Sequence, residues 1–146
     1  MICEQVKKLT LYMKTQLDNK LRKYNLTATQ FIVLEYLFEN EGESIIQKDI
    51  CELLEIKHTT VVGIIKRLEE KGLITRTKNK QSKIINISSK GRDLYNRLSG
   101  RRYDVEEILL NGFTKEEIQD MEEKLNKMYA NIKGISKNIF RKPILL

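Results

Sequence analysis

Apolar residues recur three and four apart over residues 4–23, where Val6, Leu9, Met13, Leu17 and Leu21 predict an amphipathic helix. Tyr24-Asn25-Leu26-Thr27 interrupts it, and Thr27 followed by Gln30 has the form of a capping box. Residues 28–39 carry Phe31, Leu34, Tyr36, Leu37 and Phe38 and are apolar on nearly every side, which predicts a central helix covered by others. After the turn NEGES (40–44), QKDICELL (47–54) reads as a short helix with Ile50, Leu53 and Leu54 inward, and Glu55-Ile56-Lys57 as a tight turn. In KHTTVVGIIKRLEEKG (57–72), a helical wheel of about 100° per residue puts Val61, Ile64, Ile65 and Leu68 on one side. Thr59, Gly63, Lys66, Arg67 and Glu70 fall on the other. A basic last turn and Gly72 end this helix.

The period then changes. Leu73–Thr77 and Ile84–Ile87 read as short strands, with Ile85 and Ile87 on one face and Lys78–Lys83 as the hairpin tip. From Ser88-Ser89-Lys90-Gly91 a long helix is expected to run through Leu94 and Leu98 toward Leu110, with a candidate interruption at Ser99-Gly100. NGFT (111–114) breaks the pattern, and Thr114 caps a last helix whose apolar positions are Ile118, Met121, Leu125, Met128, Tyr129 and Ile132. Helix, turn, helix and basic hairpin predict a mainly α fold with a small β-hairpin wing. A winged helix-turn-helix would span 28–91. The amphipathic helices of 1–27 and 92–146 exceed its needs, and a second copy of the chain is the simplest cover for their stripes, making them a dimerisation region.

Charge sharpens this picture. The 146 residues hold 27 Lys and Arg against 20 Asp and Glu, a net charge of +7. The excess is local: residues 57–91 hold nine basic groups and two acidic ones, and the eighteen residues from Ile74 to Gly91 hold no acid. Surfaces shaped only for solubility mix both signs. An anionic partner is therefore expected, and duplex DNA fits the predicted fold. The start, MICEQVKK, is too charged for a signal peptide, and no apolar run approaches the ~20 residues of a membrane span. Two cysteines 48 residues apart and one histidine make neither a disulfide framework nor a zinc site. A reduced, cytoplasmic protein without metal or cofactor is expected.

A helix after a tight turn can enter the DNA major groove. Thr59, Thr60, Val62, Gly63, Lys66 and Arg67 are then the base-facing candidates. Threonine hydroxyls reach phosphates or base edges, and the Val62 and Thr60 methyls suit thymine methyl groups. Gly63 is either a small residue on a solvated turn or a point of close backbone approach. Arg76, Lys78, Lys80 and Lys83 on the hairpin, with Lys48 on the short helix, are candidates for phosphate or minor-groove contact. His58 either approaches a phosphate or hydrogen-bonds locally. The chain lacks GxGxxG, GxxxxGK[ST] and HExxH, and His58 has no visible catalytic partner, so an enzyme is not expected. A winged protein–protein adaptor that does not read DNA is the alternative, favoured by the apolar Val62 and the bare Gly63.

LTATQFIVLEYL, QKDICELLEIKHTTVVGIIKRLEEKGLITR, KIINISSKGRDL and GFTKEEIQDMEEKL, in that order over nearly the whole chain, resemble the MarR family of transcriptional regulators. The resemblance implies a dimer of winged subunits joined by the terminal helices. It implies pseudo-palindromic operators, usual repression, and release by a small phenolic ligand or an oxidant. Carried over, the recognition positions are Thr59, Thr60, Val62, Gly63, Lys66 and Arg67. Val62 stands where the family often has Ser or Thr, and Gly63 where a larger polar residue is common. Many members carry Asp-x-Arg at the wing tip. Here NKQSK has neither residue, and Lys80 and Lys83 supply charge without arginine's forked geometry. Cys3 falls where an organic-peroxide-sensing branch keeps its reactive cysteine, but that branch's tyrosine positions are Lys7, Leu17 and Ala28 here. Cys51 reads as a small, partly buried hydrophobe. A ligand pocket would lie near Tyr12, Gln16, Tyr36 and the 55–57 turn, residues that serve equally well as core.

Overall fold

A computed structural model describes residues 1–78, 81–99 and 101–139. Helix α1 (Ile2–Leu21) runs into a single 3-10 turn (Arg22–Tyr24), followed by α2 (Ala28–Glu39), α3 (Gln47–Leu54) and α4 (His58–Glu70). Strands β1 (Ile74–Lys78) and β2 (Lys83–Ile87) form an antiparallel hairpin, and α5 (Ser89–Leu98), α6 (Arg101–Leu109) and α7 (Lys115–Ile139) complete the chain. The chain divides into two units, Met1–Val105 and Glu106–Leu146. The predicted winged helix-turn-helix is present in the first.

Its core is built around α2. Phe31, Val33, Leu34 and Leu37 are buried, together with Leu17 and Leu21 of α1, Ile50 of α3, and Val61, Ile64, Ile65 and Leu68 of α4. Ile45, Leu73, Ile74, Ile85, Ile87, Leu94 and Leu98 are buried with them. Tyr95 of α5 packs its ring 5.8 Å from Phe31 and 4.4 Å from Phe38, centroid to centroid. Leu53 departs from expectation: it is 39% exposed, because the short α3 turns only Ile50 and the half-buried Leu54 toward its neighbours.

The start of α2 is fixed from several directions. Thr27 Oγ1 accepts the Gln30 N–H at 3.2 Å, and the Thr27 N–H donates to Gln30 Oε1 at 3.3 Å. Gln30 is itself buried, and its Oε1 also accepts from Lys71 Nζ at 2.9 Å. Lys71 thus ties the end of α4 to the start of α2. Burial, and then the Arg67 charge, lower its pKa. Thr27→Ala removes one acceptor of the capping box and is expected to cost about 1 kcal/mol in urea unfolding.

The hairpin and α5 are joined through backbone groups that side chains satisfy. Ser88 Oγ donates to Gly72 O at 2.6 Å and accepts the Gly91 N–H at 3.0 Å. The Ser88 N–H donates to Leu73 O at 3.0 Å. A Cβ built on Gly91 would stand 2.2 Å from Leu73 O and 2.9 Å from Ile87 Cγ1. Glycine at 91 is therefore a packing requirement. Its role is to let α5 lie directly on the first turn of the wing.

The helix expected to run from Ser88 toward Leu110 is divided at the candidate interruption into two helices. Ser99 is extended (ψ 128°), its N–H bonded to Tyr95 O at 2.7 Å and its hydroxyl to Asn96 O at 2.9 Å. A serine side chain that satisfies the backbone locally competes with the next helical turn. The cap expected at Thr114 is present: its Oγ1 accepts the Glu117 N–H at 3.2 Å, and its N–H donates to Glu117 Oε2 at 2.9 Å. Val6, Leu9 and Met13 of α1, and Leu125, Met128, Tyr129 and Ile132 of α7, remain exposed. These are the amphipathic stripes left uncovered in the single chain.

Candidate nucleic-acid interface

Glu55, in the left-handed conformation (φ 53°), closes α3 with its N–H on Cys51 O at 2.9 Å. Lys57 O then accepts the Thr60 and Val61 N–H groups at 3.0 and 3.1 Å and opens α4. Anchored by Val61, Ile64, Ile65 and Leu68, α4 leaves Thr59, Thr60, Val62, Lys66 and Arg67 exposed, with Gly63 half-buried. The aliphatic β-branched residues of α4 are therefore chiefly its inner stripe. Among the aliphatic ones Val62 is the exception, at 41% exposure, and Thr59 and Thr60 are exposed with it. Leu53 and Ile56 are exposed apolar side chains at the same turn, and of the three only Val62 stood out in the sequence.

The ring of His58 is held locally. Its Nε2 lies 2.9 Å from Gln47 Nε2, and its Nδ1 lies 3.8 Å from Cys51 Sγ. The histidine thus ties the first residue of α4 to α3, and Gln47 is engaged in the same contact. Lys48, on the next position of α3, is exposed.

On the hairpin, Arg76 differs from the wing lysines. Its Nε lies 3.1 Å from Glu69 Oε2 of α4, and the side chain is one-quarter exposed. Part of its charge is spent within the fold, where it braces the wing against α4. Lys78 and Lys83 face each other directly across the two strands, both exposed. Like charges in that register repel. Lys80 lies outside the described residues.

Among the described residues, Lys48, Lys66, Arg67, Lys78 and Lys83 have no carboxylate partner. Outside this surface, Lys20 pairs with Asp104 at 3.4 Å, Arg92 with Glu41, and Lys124 with Asp120. Unneutralised cations on α3, α4 and the wing form a surface suited to phosphates.

The expected ligand-pocket residues differ in burial. Tyr12 and Gln16 are exposed on α1, while Tyr36 is half-buried on α2. Burial, and then the nearby carboxylates of Asp49, Glu43 and Glu52, raise the Tyr36 pKa. An open cavity of about 250 Å³ lies among Leu37, Ile45, Ile85, Ile87 and the Glu41–Arg92 pair. A second, of about 220 Å³, is lined by Asp18, Arg22, Asn25, Leu26, Thr27 and Lys71. None of the three pocket candidates lines either one. Cys3 is exposed, and Cys51 is half-buried. No group of three His, Cys, Asp or Glu able to hold a metal occurs among the described residues. No helix among them is long and apolar enough to cross a membrane.

The pattern of the MarR family matches residues 24–83. The chain is 32% identical over 111 residues to the uncharacterised HTH-type transcriptional regulator YybA of Bacillus subtilis, covering 74% of this chain and 73% of that one. It is 32% identical over 127 residues to the HTH-type transcriptional regulator SarZ of Staphylococcus epidermidis, covering 84% and 76%. Among solved structures it resembles Staphylococcus aureus MepR in complex with DNA, with a TM-score of 0.85, 26% identity and 90% and 98% coverage. It also resembles a Listeria monocytogenes MarR-family regulator complexed with 26mer DNA, with a TM-score of 0.84, 28% identity and 100% and 98% coverage.

Proposed function

Because this chain belongs to the MarR family of helix-turn-helix transcriptional regulators, we propose that it acts as a cytoplasmic homodimer on a pseudo-palindromic DNA operator, usually to repress. Residues 28–91 form the DNA-reading domain, and 1–27 with 92–146 join the two copies. Thr59, Thr60, Val62, Gly63, Lys66 and Arg67 of α4 face the bases. Lys48, Lys78, Lys80 and Lys83 follow the phosphates, with Arg76 bracing the wing. The observation that carries this reading is the set of exposed cations without carboxylate partners on α3, α4 and the hairpin, within the segment 57–91 and its neighbour α3, where nine basic groups of 57–91 face only two acidic ones. The MepR and Listeria structures hold this fold in complex with DNA in those proteins.

Selection of bound duplexes from a random pool at low salt tests the reading. The expected product is two inverted half-sites about one helical turn apart. A folded dimer that enriches no sequence contradicts it and fits the adaptor alternative instead.

Control by a small aromatic ligand or an oxidant belongs to the same proposal. Its support is the family membership and the accessible Cys3 thiol. Adding a phenolic acid, or an organic hydroperoxide with Cys3→Ser as control, to the protein–duplex complex is expected to release DNA in one arm. Full retention in both would remove this part of the proposal.

A further inference from the structure

Gly63 is hard to account for within the folded chain. It lies in the interior of α4, where glycine is about 1 kcal/mol less favourable than alanine. Its backbone is not in the left-handed region that favours glycine. No packing requires it either: a Cβ added there would meet only Arg67 Nη1, at an ordinary 3.8 Å. That neighbour explains the site. Arg67 is one turn further along α4, and long helical side chains lean back toward the N-terminus. Its guanidinium therefore lies over the bare backbone of Gly63, near the middle of the outward face. There it has no carboxylate partner among the described residues, whereas Arg76 is tied to Glu69 and Arg92 to Glu41. Thr59, Thr60 and Val62 cannot offer a forked donor. Lys66 is a point charge on a flexible stem.

We infer that Gly63 forms a seat for Arg67, and that the seated guanidinium is the chief base-reading group of α4, selecting one guanine in each half-site through its N7 and O6. A large residue at 63 would displace the fork toward the edge of the helix, where it meets phosphate instead. This inference rests on the DNA-binding reading and adds to it a stated chemical target.

The test uses the full-length dimer and its selected duplex, with each guanine replaced in turn by 7-deazaguanine, which removes N7 but keeps the base pair. Wild type is expected to lose affinity roughly tenfold at one guanine per half-site. Arg67→Lys should bind scrambled duplexes as well as wild type does, yet show no loss at that guanine. Gly63→Leu, a good helix former whose fold is checked by its circular dichroism melt, should also be insensitive there. If Arg67→Lys keeps the wild-type profile, or if Gly63→Leu does, the seat is wrong. A uniform loss on every sequence in Arg67→Lys would make Arg67 a phosphate-binding group and overturn the inference while leaving DNA binding intact. Failure of wild type to bind any duplex would instead overturn the underlying reading.

Discussion

Gly91→Ala is expected to destabilise the winged unit by about 3 kcal/mol, at the upper end of what overpacking costs. The added methyl cannot find room by rotating a flexible side chain. Its nearest neighbour is a backbone oxygen, Leu73 O, at 2.2 Å, and behind it stands Ile87 Cγ1 at 2.9 Å. Leu73 O already accepts the Ser88 N–H, so moving it away also strains the joint between β1 and α5. In a domain of this size the melting temperature should fall by more than about 10 °C. Gly134→Ala is the contrast, since a Cβ there meets nothing within 4 Å. Alanine at 134 should be neutral or slightly stabilising through helix propensity. Urea unfolding of the two variants measures both outcomes. Equal stability of Gly91→Ala and wild type would show that α5 does not lie on the wing as described.

Reversing charge at Lys78, Lys80 and Lys83 together is expected to weaken duplex binding by about two orders of magnitude near 0.1 M salt. Lys78 and Lys83 sit opposite one another, and an anion between or beside them relieves their mutual repulsion. A lysine on a phosphate neutralises its charge and releases counterions. The slope of log affinity against log salt should therefore fall by about one for each phosphate that is no longer neutralised. The loss should be nearly the same for the selected duplex and a scrambled one. A salt slope unchanged from wild type would remove the wing from the interface. The variant's own stability should stay close to that of wild type, because the like-charge pair at Lys78 and Lys83 is inverted rather than removed.

Much of this was legible in the sequence because local chemistry and periodicity agreed. Thr27 with Gln30, and Thr114 with Glu117, form the caps their spacing announced. Val61, Ile64, Ile65 and Leu68 are the buried stripe that a helical wheel selects. The change of period after Gly72 marks the hairpin. What was not legible depended on length and on tertiary neighbours. An eight-residue α3 has too little surface to bury Leu53 as well as Ile50. The break at Ser99 was legible only as a candidate interruption, because the hydrogen bonds that end α5 do not show in a periodic pattern. Arg76 could not be separated from the wing lysines without the position of Glu69, nor Lys71 from a helix-ending cation without Gln30. Gly91 and Gly63 look alike as letters. One is forced by a backbone oxygen, and the other is free of every neighbour except an arginine. The exposed stripe on α1, with Val6, Leu9 and Met13, is legible as amphipathic, but a single chain does not show what covers it.

The division of labour between α4 and the wing is tested most directly by one ratio: affinity for the selected duplex over affinity for a scrambled duplex of equal length, at fixed salt. It is measured for wild type, for the triple wing variant, and for Thr60→Ala with Val62→Ala. The α4 variant, which keeps Arg67, is expected to lose part of that ratio while keeping its affinity for scrambled DNA. The wing variant is expected to lose affinity for both duplexes and keep the ratio. A ratio that survives intact in the α4 variant and collapses in the wing variant would contradict the account.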